Sequence, residues 1–123
     1  MGKIERFEDL ECWQAAMILV NYVFSLTNRQ SLAKDFDLKS QMRRSALSTM
    51  NNIAEGFDRN SNAEFKYFLN ISSGSCGELR SMSYILVDNK LINQNEFKEL
   101  QDKIITTHKL VKGLIKYLKG RKS

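Results

Sequence analysis

Apolar residues recur every three or four positions along most of the chain, and the pattern breaks at Asn28–Lys34, at Asp58–Asn62 and just before Asn93. The intervals predict four helices over about 9–27, 36–57, 63–89 and 94–119. In the first, Leu10, Trp13, Met17, Val20 and Phe24 form the main stripe; Ala16, Leu19, Val23 and Leu26 widen it enough to imply two neighbours. Glu8 or Asp9 suits its start, where a carboxylate complements free amides. The second gathers Leu38, Met42, Ala46, Met50, Ile53 and Phe57 on one side. The third turns Phe65, Phe68, Leu69, Ser72, Cys76, Leu79, Ser83 and Leu86 inward, after a cap at Ser61 or Asn62. The fourth opens on a capping box, Asn93 with Glu96, and continues through Phe97, Leu100, Ile104, His108, Val111, Ile115 and Leu118. Short connections make successive helices antiparallel neighbours, so the expected fold is an all-α, up-down-up-down four-helix bundle in one domain over residues 1–123. Asn28–Lys34 is the one connection with room for a functional loop.

Two polar features stand against this apolar frame. Arg44, Ser48, Asn51, Asn52, Glu55 and Arg59 share the far side of the second helix, with Glu55 four residues before Arg59 in the favourable order for an ion pair. That side is either a solvated face or an ordered network against another helix or subunit. Asn52, Glu55, Arg59 and, on the third helix, Glu78 are expected to form such a structural network, so that Glu55→Ala weakens folding or assembly. On the third helix, Asn70, Gly74, Gly77 and Ser81 form a second, outward line of small side chains. A glycine inside a helix costs about 1 kcal/mol relative to alanine. Close approach by another helix would offset that cost, and the polar character of the line points to contact between subunits.

Composition narrows the picture. The chain has 123 residues, no proline and six glycines, which disfavours sheets and long loops. Cys12 and Cys76 lack metal-ligand spacing and read as buried free thiols in a reducing compartment. Neither a signal peptide nor a membrane span is visible, so a cytoplasmic protein without membrane contact is expected. The net charge of +5 is unevenly placed: residues 1–108 hold 13 Lys and Arg against 14 Asp and Glu, while residues 109–123 hold six and none. Lys109, Lys112, Lys116 and Lys119 recur at helical spacing, and Arg121 and Lys122 extend the run. Such a run either complements a helix C-terminus or contacts nucleic-acid phosphate.

Catalytic chemistry is not signalled. His108, the only histidine, lies on an apolar stripe without metal-site context, and Ser72 and Ser75 have no base nearby in sequence. SSGSCGE in the third helix lacks the spacing of a phosphate-binding loop. No catalytic residue, cofactor or metal is expected.

Leu10, Trp13 and Ala16, then Leu38, Gln41, Arg43 and Arg44, then the Asn52–Gly56 run NIAEG with Arg59, then Phe68, Leu69, Gly74, Ser75, Glu78 and Leu79 together carry a resemblance. From about Phe7 to Leu118 the chain resembles the bacterial four-helix bundle proteins known as 23S rRNA intervening-sequence proteins. That family includes accessory variability proteins of diversity-generating retroelements, barrel-shaped homopentamers that bind a reverse transcriptase and nucleic acid. The resemblance implies a compact helical subunit, pentamerisation and no catalytic residues. Family members commonly carry a Phe-Pro pair before the second helix and a proline within it; Leu32-Ala33 and Met50 stand there here, which implies a straighter helix. Ser45, Thr49 and Ser72 stand where apolar residues or alanine are usual.

The expected function is a non-enzymatic homo-oligomeric adaptor, with RNA or DNA held by backbone phosphate contacts at Arg43, Arg44, Lys109, Lys112, Lys116, Lys119, Arg121 and Lys122. The alternative is a scaffold that docks a protein partner such as a reverse transcriptase without binding nucleic acid itself.

Overall fold

The computed structural model describes residues 3–121, with the side chain of Gln30 outside that description. It is all-helical: α1 (Glu11–Thr27), α2 (Gln30–Ala33), α3 (Phe36–Phe57), α4 (Asn62–Asp88) and α5 (Gln94–Lys119), preceded by a 3-10 turn at Phe7–Asp9. The first helix therefore starts later than the expected Asp9, because Phe7–Asp9 is wound into that separate turn and the extended Leu10 takes the cap position. The Asn28–Lys34 connection is likewise no open loop. It holds the single turn α2, whose Leu32 is fully buried.

Local chemistry explains the other ends. Asp35 accepts from the Leu38 amide and Ser61 from the Glu64 amide, each satisfying an otherwise free donor of the first turn. Asn93 and Glu96 form the reciprocal capping box. After α4, Lys90 adopts φ 59°, the Lys90 amide donates to Val87 and the Leu91 amide to Leu86. This is a Schellman turn with a lysine where glycine is usual.

The four long helices pack in a ring: α1 on α3, α3 on α4, α4 on α5 and α5 on α1, with no close backbone approach across either diagonal among the described residues. Two apolar clusters fill the ring. One gathers Leu26, Leu32, Met42, Leu86, Ile92 and Leu100; the other gathers Leu10, Ala16, Ile53, Leu69, Val111 and Ile115. Half-buried Met50 packs against both. Full burial of each large aliphatic side chain contributes about 1.5–3 kcal/mol. On α1 the inward line is Cys12, Ala16, Leu19, Val23 and Leu26, whereas Met17, expected in the main stripe, is 45% exposed. Both cysteines are free and buried. No helix among the described residues is long and apolar enough to cross a membrane.

Candidate functional site

The seam between α3 and α4 is polar at its centre. Ser72 donates to the Thr49 carbonyl oxygen at 2.7 Å, Thr49 donates to the Ser45 carbonyl at 3.0 Å, and Ser75 donates to the Ser48 hydroxyl at 2.7 Å. Asn52 reaches back to the Ser48 carbonyl and hydroxyl. Thr49 and Ser72 are thus buried with their hydroxyls bonded, as buried hydroxyls require, and the buried Ser45 accepts through its carbonyl. One turn on, Gly56 lets α4 approach: a Cβ there would lie 2.9 Å from Phe65 Cδ1 and 2.9 Å from Phe68 Cβ.

The four residues expected as one network divide. Asn52 joins the serine seam. Arg59 pairs with Glu55 at 2.9 Å, approaches Glu64 at 3.9 Å and lies 4.8 Å over the Phe68 ring. Glu55 is exposed, so the pair is worth about 0.3–0.5 kcal/mol. Glu78 is exposed on α4 and joins neither group through a hydrogen bond or ion pair among the described residues. Asn70, Gly74, Gly77 and Ser81 all lie on the outer side of α4, and no packing neighbour among the described residues comes within 4 Å of a Cβ built on Gly74 or Gly77. Tyr67, Ile71 and Ile85 are exposed on the same side.

The basic residues also separate. Arg43 donates to Thr27 Oγ1 at 2.9 Å and Asn28 Oδ1 at 2.7 Å, and its guanidinium lies 4.2 Å over Phe24. It is committed to tying α3 to the last turn of α1. Arg44 is exposed beside a shallow depression with Ser40, Leu47 and Asn51. Lys109, Lys112, Lys116 and Lys119 are exposed along α5, and Arg121 lies over Tyr117 at 4.5 Å. Lys122 lies outside the described residues. The end of α5 packs with Leu10 and Cys12 at the start of α1, whereas Arg43 holds the far end of α1. Arg43 and Arg44 are therefore at the opposite end of the ring from the last turns of α5.

One pairing had no local sequence signal. Ser73 Oγ on α4 and His108 Nε2 on α5 lie 2.7 Å apart, both half-buried. Burial first, then Lys112 and Arg80, hold His108 below the usual imidazole range. The position of Ser73 is found only by noting that it precedes the Leu91 turn by nearly the distance at which His108 follows it. No carboxylate bonds the ring among the described residues, so the pair lacks the third group of a catalytic triad. No cluster of three metal-ligating side chains occurs among the described residues.

A family model described as 23S rRNA-intervening sequence protein matches residues 8–113. No curated protein matches the chain. Among solved structures, the chain is similar to a protein with unknown function from the S23 ribosomal protein family of Bacteroides thetaiotaomicron VPI-5482. The two share 20% identity over 85% of this chain and 95% of that one, with a TM-score of 0.77. At that identity the likeness bears on fold alone.

Proposed function

Because the chain belongs to the 23S rRNA-intervening sequence protein family, we propose that it acts without catalysis, as a homo-oligomeric adaptor that binds nucleic acid through backbone phosphates. The observation that carries this reading is the outer side of α5. Lys109, Lys112, Lys116 and Lys119 are exposed there, and none joins an ion pair among the described residues. Unpaired cations on a rigid helix keep their full attraction for phosphate. Arg121 and Lys122 extend the run, and Arg44 adds a second, separate contact; Arg43 serves the fold.

Self-association multiplies a weak patch. The outer side of α4, with Tyr67, Ile71 and Ile85 beside the uncovered Gly74 and Gly77, is the surface through which copies would meet. In a pentamer the net charge of +5 per subunit becomes about 25, and each neutralised phosphate adds ~0.9 to the salt slope on duplex DNA. Within the subunit, one domain with up-down-up-down connectivity is supported by the order of contacts: Ser48 meets Ser75 while Thr49 meets Ser72, and Ser73 meets His108 while Ser83 meets Gln101.

Fluorescence anisotropy with labelled RNA and DNA at two salt concentrations tests the reading. Binding at low salt that weakens steeply at high salt is expected; no binding at low salt contradicts it. The same α4 surface favours one alternative, a scaffold for a protein partner such as a reverse transcriptase. A pull-down that recovers such a protein without nucleic acid would favour it.

A further inference from the structure

Ser73, His108, Arg80 and Lys112 lie on facing sides of α4 and α5. Ser73 and His108 meet across the seam at 2.7 Å. Arg80 lies two turns after Ser73 on α4, and Lys112 lies one turn after His108 on α5. Side chains on a helix lean toward its N-terminus, so both long cationic chains lean back toward the Ser73–His108 pair. The result is an imidazole bonded to a hydroxyl with two exposed cations acting on the ring, neither of which joins an ion pair among the described residues.

We propose that these four residues form a proton-linked phosphate site, which grips a phosphate group when His108 carries its second proton. The supply of hydrogen-bond donors changes with the ring's charge. With a neutral ring whose Nε2 is unprotonated, the Ser73 hydroxyl donates to Nε2 and its hydrogen is used within the pair. When Nε2 gains a proton, it becomes the donor and Ser73 Oγ the acceptor. The hydroxyl hydrogen is then free to turn outward. Three cationic groups and that hydroxyl then make a donor set suited to an anionic oxygen cluster.

Without an anion the arrangement disfavours the charged ring, first because the ring is half-buried and then because both charged groups that act on it, Lys112 on its own helix and Arg80 on α4, are cations. The other helix packed on α5, α1, contributes no charged group that acts on the ring. A bound phosphate reverses that balance, so phosphate binding and proton uptake strengthen each other. The inference rests on the phosphate-binding reading above and adds to it a specific group of residues and a pH dependence.

Because His108 is the only histidine, its imidazole resonance can be titrated by NMR without ambiguity. The full chain is titrated alone, with inorganic phosphate, and with a short oligonucleotide that lacks terminal phosphates, at matched ionic strength. The expected result is a midpoint raised by about 0.5–1 pH unit by at least one ligand, equivalent to an about three- to tenfold preference of phosphate for the charged ring. The rise should disappear in R80Q/K112Q, whose changes are exposed and leave the fold intact. A response to inorganic phosphate alone assigns the site to free phosphate, and a response to the oligonucleotide assigns it to the nucleic-acid backbone. An oligonucleotide that binds without moving the midpoint overturns this site and leaves the broader reading standing. A midpoint unmoved by either ligand, or a rise that persists in R80Q/K112Q, also overturns it.

Discussion

Gly56 has the least room of any glycine among the described residues. A methyl group there meets Phe65 and Phe68 at 2.9 Å and the Phe65 carbonyl oxygen at 3.2 Å, so α4 would have to move. Gly56→Ala should destabilise the protein by about 1–3 kcal/mol, read as a fall in the denaturant midpoint at unchanged slope. Lys90 presents the opposite case. Its φ of 59° strains a side-chain-bearing residue, so Lys90→Gly should stabilise by about 0.5–1 kcal/mol in the same measurement. Burial pushes both the Cys12 and the Cys76 thiols up to about 11. Their folded-state values lie above the unfolded ones, so their contribution is full below the unfolded value near 9 and is lost as pH rises toward 11. Melting temperatures should fall across that window, and the fall should shrink in C12A/C76A. The NIAEG run marked this region in the sequence, but spacing alone did not reveal that its glycine is the point of closest helix approach.

The helices were largely legible because apolar periodicity and capping chemistry agree over long stretches. The capping box at Asn93 and the Ser61 cap stand where the residue types put them. Two features were not legible. On α1 the apolar residues cover so much of the circumference that periodicity alone does not choose the buried line, and packing chose Ala16, Leu19, Val23 and Leu26 over Met17. Arg43 and Arg44 look equivalent in sequence, yet one-residue spacing turns them about 100° apart on a helix. Arg43 thereby reaches Thr27, Asn28 and Phe24 across the α1–α3 seam, while Arg44 faces solvent. Arg43→Ala should cost about 1–2 kcal/mol in stability through lost packing and hydrogen bonds, whereas Arg44→Ala should change it by less than about 0.5 kcal/mol. Equal losses from the two changes, measured by chemical denaturation, would contradict the division of labour drawn here.

For the whole molecule, basicity is concentrated in the last fifteen residues of the sequence and four of its lysines line α5. Replacing Lys109, Lys112, Lys116 and Lys119 by glutamine should leave the melting temperature nearly unchanged, because these side chains are exposed and join no ion pair among the described residues, and should flatten the salt dependence of RNA binding. The charge asymmetry was readable in the sequence. The separation of Arg44 from the α5 run was not, since it depends on which ends of the helices share a cluster. The central claim is that identical copies assemble and pool this surface to hold nucleic acid. Size-exclusion chromatography with light scattering, run at low salt with and without an RNA oligonucleotide, tests it most directly. The account predicts a mass several times the 14.2 kDa of one chain, with the RNA eluting in the same peak; a 14.2 kDa species that leaves the RNA free would contradict it.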